Sequence, residues 1–329
     1  MSKILITGVA GLLGSHLSRH LISQGHQIVG IDSFFGGYKD FVAPEVNLYE
    51  IDLVDSESLK QIFAVEKPDY VYHFAAYAAV GLSAFIRNFN YTNNVICSVN
   101  LINESIKNDV KKFMFTSSMD VYGWGNPPYT EEQRPSPISP YGIAKYTVEQ
   151  DIKQAYDQFG LKYTIIRPHN VVGIYQNIWD KYRNVIGIWI RQILNNEPLS
   201  IFGDGLQQRA FSDIKYYMDP FTSLMEEHNG ETFNIGADRD VTILEAANAL
   251  IKVAKKYGFD AKVKHFEPRH EVKIAYCNHD KAKKMLSFVD GTDLEKVMDD
   301  MFSWALEQPN RNVKKMTYEI DRGIYSFWK

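Results

Sequence analysis

The strongest constraint on this chain lies in its first thirty-two residues. There a strand, a glycine turn, a helix and a second strand follow one another and end in an acid. Lys3-Ile4-Leu5-Ile6-Thr7 is a short β-branched and leucine run, the pattern of a strand buried on both faces of a parallel sheet. Glycines follow at three-residue spacing in Thr7-Gly8-Val9-Ala10-Gly11-Leu12-Leu13-Gly14. Apolar residues then recur at helical intervals (Leu13, Leu17, Leu21, Ile22) up to Gly25, and Gln27 to Ile31 forms a second strand closed by Asp32. Each part has a physical role. Gly8 makes the tight turn off the strand, Gly11 lets backbone approach a pyrophosphate, and Gly14 lets the helix lie close on the sheet. The helix N-terminus, with Leu12 and Leu13 in its first turn, then faces the phosphates.

Asp32 lies 32 − 14 = 18 residues beyond Gly14, where its carboxylate can accept hydrogen bonds from both hydroxyls of an adenosine ribose. A 2′-phosphate would meet like charge there, and no Lys or Arg follows before Lys39 to offset it. The expected cofactor is NAD rather than NADP.

Alternation continues beyond this unit. Candidate strands are 46–49, 70–75, 112–116, 162–166, 199–202 and 232–235, with helical patterns at 56–65, 93–106 and 140–159. Strands separated by helices of this length imply right-handed crossovers and a Rossmann-type doubly wound parallel sheet. After about Pro168 the pattern loosens, and helices return at 243–257 and 294–307. The expected division is a dinucleotide-binding domain over 1–168 and a smaller mixed α/β substrate lobe over 169–329. Segments near 209–240, around Phe211 and Phe233, are expected to rejoin the first domain.

Composition narrows the partners. Lys and Arg number 36 against 40 Asp and Glu, a net charge of −4, which argues against a nucleic-acid partner. No apolar run reaches the roughly 18 residues needed to span a bilayer. Residue 3 already enters a strand, so no leader is expected. Cys97 and Cys277 are too few for a disulfide framework or a metal set. A soluble protein of a reducing compartment, the cytoplasm, is expected.

The chemistry centres on Ser139-Pro140-Tyr141, which opens a helix with Ser at the cap and Pro in the first turn. Lys145 follows four residues on, so Tyr141 and Lys145 share one helix face, while Val148, Ile152, Tyr156 and Phe159 continue a core stripe. A Tyr hydroxyl titrates near 10, and bringing it to about 7 takes about 4 kcal/mol of preference for phenolate. A neighbouring ammonium and a cationic nicotinamide ring can supply that. Upstream, the strand 112–116 ends in Ser117-Ser118, at the sheet edge where ligands bind. Either serine can hold the substrate oxygen that Tyr141 deprotonates, and Ser118 is preferred.

Glycine turn, terminal Asp, strand-end Ser and Tyr-x-x-x-Lys, in this order, resemble the extended short-chain dehydrogenase/reductase family over almost the whole chain. The likeness is greatest to its nucleotide-sugar epimerases and dehydratases of the UDP-glucose 4-epimerase type. Matching segments are Ile51-Asp52-Leu53, His73-Phe74-Ala75-Ala76, Arg167-Pro168-His169-Asn170, Phe202-Gly203-Asp204-Gly205 and Phe233-Asn234-Ile235-Gly236. The resemblance implies that Asp52 and Leu53 hold the adenine, that Phe74, Ala75 and Asn94 line the NAD, and that Pro168 approaches the nicotinamide. It further implies that Asn170, Asn184, Arg209 and Arg269 bind the diphosphate of a nucleotide sugar, and that the chain forms a homodimer. Either arginine could instead be a structural ion-pair residue.

Four positions depart from the family. Several 4,6-dehydratases carry Asp then Glu after the strand-end hydroxyl, where this chain has Met119 and Asp120. Methionine cannot donate a proton. Asp120 remains a tentative base, or else a residue that only hydrogen-bonds substrate or backbone. Ala78 stands where some 4-epimerases put a Lys near the cofactor, and Lys215 where relatives often carry Asp. The expected function is an NAD-dependent nucleotide-sugar 4-epimerase without a metal. Alternatives are a nucleotide-sugar decarboxylase, a 4,6-dehydratase, a one-way 4-dehydrogenase, or a non-catalytic NAD-binding regulator.

Overall fold

In the computed structural model, which describes residues 1–328, the alternation resolves into fourteen strands and ten α-helices among those residues. The first half runs β1 (Lys3–Thr7), α1 (Leu12–Ser23), β2 (Gln27–Asp32), β3 (Asn47–Glu50), α2 (Ser56–Glu66), β4 (Tyr70–His73), α3 (Arg87–Tyr91), α4 (Cys97–Lys107), β5 (Lys112–Thr116), α5 (Pro140–Phe159) and β6 (Tyr163–Pro168). The second half runs β7 (Val171–Val172), α6 (Val185–Leu194), β8 (Leu199–Phe202), β9 (Gln208–Ala210), β10 (Ser212–Asp213), α7 (Met218–Ser223) and β11 (Glu231–Ile235). It ends with β12 (Asp240–Thr242), α8 (Ile243–Lys256), β13 (Val263–Phe266), β14 (Ile274–Ala275), α9 (Asp280–Leu286) and α10 (Leu294–Leu306).

Seven strands form one sheet in the order β11-β6-β5-β4-β1-β2-β3, and each neighbouring pair is parallel. From β1 the chain builds outward through β2 and β3, then returns to β4 and builds the other way. The reversal between β1 and β4 opens a crevice beyond the strands' carboxyl ends, the place where such sheets bind ligands. Strand residues alternate between two cores. Ile4, Ile6 and Tyr72 pack with Leu17, Leu21 and Phe221 on one face. Leu5, Val71 and Phe113 pack with Phe63, Leu101, Val148 and Ile152 on the other. Each fully buried side chain of this kind contributes about 1.5–3 kcal/mol. A third core, with Trp189, Leu250 and Phe302, holds α6, α8 and α10 of the second half together.

Several local expectations are corrected. Phe233 lies in β11 of the main sheet, but Phe211 falls between β9 and β10, which belong to two small sheets, and it packs in the second-half core. The strand at 199–202 likewise pairs with β13, not with the main sheet. The helix expected at 93–106 starts at Arg87 and passes through a π-helical turn at Thr92–Ile96 before α4. On α5 the core stripe stops at Ile152 and Ala155, and Tyr156 and Phe159 are exposed. The cap is as expected, with the Ser139 hydroxyl accepting from the Gly142 N–H at 2.9 Å.

Candidate active site

The glycine turn is built by close approach. Gly8 has φ +69°, and a Cβ there would lie 2.8 Å from the Ala75 nitrogen. A Cβ on Gly14 would lie 2.3 Å from the Gly8 carbonyl oxygen, so only glycine lets α1 start against the end of β1. α1 has Gly11 at its N-cap and no side chain capping it, leaving its first N–H groups for a ligand. Asp32 is fixed by two amides, Oδ2 accepting from Ala10 N at 3.0 Å and Oδ1 from Phe34 N at 2.8 Å. Each oxygen retains a lone pair for a ribose hydroxyl. Burial raises the Asp32 pKa, while the two amides and the charge of Arg183 oppose it. Arg183 is thus a cation beside Asp32 that the local sequence does not show.

Two cavities meet at Gly11. The smaller is walled by Gly8, Asp32, Asp52, Leu53, Phe74 and Ala75. The larger, of about 700 Å³, begins at Leu12 and Leu13 and passes Ser118, Tyr141, Lys145 and Pro168 to Arg209 and Arg269. The open helix end, the free acceptors of Asp32 and a continuous groove toward Tyr141 fit an extended dinucleotide such as NAD. Asn94 lines neither cavity. Its amide is committed to Tyr77 N (3.1 Å) and the Asn90 side chain (3.0 Å), so it holds the cavity wall from behind.

At the sheet edge Tyr141 and Lys145 are both buried, 5% and 2% exposed. The Lys145 ammonium donates to the Thr116 carbonyl at 2.8 Å and lies 5.9 Å from the Tyr141 ring centroid. Desolvation pushes the Lys145 pKa down to about 7, with Glu149 pulling the other way. Burial and the nearby Asp120 carboxylate push the Tyr141 phenol above its ordinary value, and hydrogen bonding with Ser118 opposes them. The Ser118 hydroxyl also accepts from Asp120 N at 3.1 Å. Ser117 is buried with no partner for its hydroxyl among the described residues. Ser118, not Ser117, meets Tyr141.

Asp120 turns toward the start of α5. Its Oδ2 accepts from the Ser139 hydroxyl, and a Cβ on Gly142 would lie 2.6 Å from that oxygen. Burial raises its pKa against the pull of Ser139 and Arg209. The tentative base is therefore engaged with the helix that carries Tyr141. Beneath the site lies a network the sequence reading missed. Arg167 is paired two-pronged with Glu149 at 2.9 and 2.6 Å and donates to the Tyr122 hydroxyl at 2.8 Å. Only the Arg167-Pro168 segment hinted at it.

At the far end the four expected diphosphate contacts all line the larger cavity. Asn170 donates to the Ala210 carbonyl (3.0 Å) and Asn184 to the Val171 carbonyl (3.3 Å), both with positive φ. Arg209 pairs with Glu271 at 2.8 Å. The Arg269 guanidinium sits 3.4 Å over the Phe202 ring and 4.6 Å from that of Trp328, and its Nε has no partner among the described residues. Burial pushes its pKa down to about 10. Among the described residues no His, Cys, Asp and Glu group could hold a metal, and no helix is long and apolar enough to cross a membrane.

Comparison with known proteins agrees with this geometry. The solved UDP-glucose 4-epimerase of Thermotoga maritima, with UDP-glucose, superposes with a TM-score of 0.87 at 32% identity, over 92% of this chain and 98% of that one. The UDP-glucose 4-epimerase of Neisseria meningitidis serogroup C is 30% identical over 94% of this chain and 99% of its own length. A UDP-N-acetyl-α-D-glucosaminuronate decarboxylase of Bacillus cytotoxicus is 28% identical over 94% and 99%. The family model described as the NAD dependent epimerase/dehydratase family matches residues 4–236. Glycine turn, strand-end acid and buried Tyr–Lys pair thus stand in a chain that belongs to the NAD-dependent epimerase/dehydratase family.

Proposed function

We propose that this chain is an NAD-dependent nucleotide-sugar 4-epimerase acting through a transient 4-keto sugar. The observation that carries this reading is at residues 119–120. Met119 has no proton to give a leaving hydroxyl, and the Asp120 carboxylate is engaged by Ser139. Tyr141 is then the group available for proton transfer, and one group suffices for epimerisation. UDP-hexoses are the first substrates to try, because the similar epimerases are named for UDP-glucose.

In this mechanism bound NAD supplies the hydride acceptor for sugar C4 and later the donor. Tyr141, as phenolate, takes the proton of the 4-hydroxyl and returns it to the 4-keto oxygen after the sugar has turned over. Ser118 holds that oxygen by hydrogen bonding. Lys145 supports the phenolate electrostatically and reaches the nicotinamide ribose; without a nearby positive charge, burial keeps the phenol protonated. Gly8, Gly11, Leu12, Leu13 and Gly14 form the diphosphate turn, Asp32 takes the adenosine ribose, and Asp52 and Leu53 take the adenine. Asn170, Asn184, Arg209 and Arg269 receive the diphosphate of the sugar nucleotide.

The reading extends to three further points. We divide the chain into a cofactor domain over 1–168, rejoined near 209–240, and a substrate lobe over 169–329. We place the enzyme in the cytoplasm, in keeping with two buried, unpaired cysteines. We assign it a homodimeric state.

The test is turnover of a UDP-sugar in D₂O, read by NMR and mass. The epimerase expectation is unchanged mass, inverted C4 and no carbon-bound deuterium. Deuterium at C5 with loss of water or carbon dioxide would reject it and make Asp120 the leading base. A ketone accumulating with stoichiometric NADH would favour the one-way dehydrogenase.

A further inference from the structure

Arg183 stands directly before α6 in the substrate lobe, yet it lines both cavities. Among the described residues it is the one Lys or Arg that lines the smaller cavity. Three contacts fix it. Its Nε donates to Asp180 Oδ2 at 2.7 Å, its Nη2 to the Gly36 carbonyl at 3.3 Å, and its guanidinium lies 4.8 Å over the Tyr77 ring. A Cβ on Gly36 would come within 2.3 Å of Nη2, so a larger residue at position 36 would push the guanidinium out of this place. Nη1 has no protein acceptor among the described residues, which leaves two N–H donors for a ligand.

Charge points to the ligand. A dinucleotide diphosphate carries two negative charges, and the N-terminus of α1 offsets only about half of one. Lys145 is committed to Thr116 at the nicotinamide end, and Arg209 to Glu271 at the far end of the larger cavity. Position 78, on the wall of the larger cavity, is Ala and supplies no charge.

We infer that Arg183 is a cofactor-binding residue, whose guanidinium engages the diphosphate of bound NAD where the two cavities meet. The substrate lobe thereby clamps the cofactor held by the sheet, and retention of NAD depends on a residue some 150 positions beyond the ribose acid. The inference rests on NAD being the cofactor, which nucleotide released from wild-type protein tests separately.

The experiment follows release of NADH, by its fluorescence, from the full-length purified protein. Arg183→Ala alone would strand the buried Asp180 carboxylate, so the working variant is Arg183→Ala with Asp180→Asn. Gly36→Ala is a second route that displaces the guanidinium without removing either charge. Both should release NADH about 10- to 100-fold faster, the loss of one charge-assisted contact. Adenosine and UDP should bind all forms equally. NADH release within twofold of wild type in both variants would overturn the inference. So would an equal loss of adenosine affinity, which would mean collapse of the smaller cavity. Weakened UDP with unchanged NADH would assign Arg183 to the substrate instead, and a loss confined to NADP would assign it to a 2′-phosphate.

Discussion

At the scale of single residues, the meeting of Tyr141, Lys145 and Ser118 was legible because it is local. Tyr141 and Lys145 are one helical turn apart, and Ser118 ends a recognisable strand. Removing only the Tyr141 hydroxyl tests its role most cleanly. Tyr141→Phe should keep its fold and its NAD, because the ring stays buried against the same neighbours, while turnover falls by about 10²–10⁴. Near-normal turnover in a folded variant would remove Tyr141 from the mechanism. Asp120 tests the opposite case. If it positions α5 and does not take a carbon-bound proton, Asp120→Asn keeps a hydrogen-bond partner for Ser139 and should lower turnover less than tenfold. It also removes the carboxylate that pushes the Tyr141 phenol up, so the limb on which activity rises as the phenolate forms should move to lower pH; an unmoved limb would refute the coupling. Arg183 and the Glu149–Arg167 pair were not legible. Arg183 meets the Gly36 carbonyl 147 residues away and Arg167 meets Glu149 18 residues away; the Arg183–Asp180 pair is local, but no local pattern marks which cavity the guanidinium reaches.

Among the elements, the glycine turn, the parallel strands and the cap of α5 followed from spacing and hydropathy. The π-helical turn at Thr92–Ile96 did not, because one extra residue per turn leaves no mark in a short polar-apolar alternation. The end of β4 carries a further consequence. His73 is sealed between Thr7 Oγ1 at 2.7 Å and Ser98 Oγ at 2.8 Å, joining β4 to β1 and α4. Burial pushes its pKa down to about 3, and that of His169 likewise to about 3. The unfolded chain takes up protons near pH 6.5 that these two imidazoles refuse until about pH 3. Their contribution is therefore complete above pH 6.5 and is lost progressively as pH falls, by about 1.4 kcal/mol per histidine per pH unit. Carboxylates add terms of both signs, so the informative quantity is a difference. Urea midpoints measured from pH 7 to pH 5 should fall less steeply in His73→Asn than in wild type. Equal slopes would mean that His73 titrates normally in the folded protein.

For the whole molecule, the parallel sheet and the lobe that follows it were legible in outline, since alternation of strands and helices dictates the first and its loss dictates the second. The return of β11 was foreseen, but the separate pairing of β8 with β13 was not, because periodicity does not say which strands meet. What the sequence leaves to the assembled surface is its exposed apolar side chains. Ile96 and Ile143 are 50% and 40% exposed. They sit on the π turn before α4 and on the first turn of α5, and the preceding α3 is tied to α5 by the Asn90 amide, which donates to the Pro140 carbonyl. Exposed apolar side chains on adjoining helices gain from being covered, and a two-fold pairing lets such a face cover its own copy. Tyr141 and Lys145 lie on the buried side of the same α5, so a dimer formed this way would stiffen the helix that carries the chemistry without entering the active site. Wild-type protein should sediment as a dimer at micromolar concentration. Replacing Ile96 and Ile143 together by Glu places charge on both helices at no cost to the core, and should raise the dissociation constant at least about 100-fold, the effect of two uncompensated charges in a contact. Sedimentation equilibrium across a dilution series reads this directly. A wild-type monomer, or a double variant that still dimerises normally, would exclude this face as the interface.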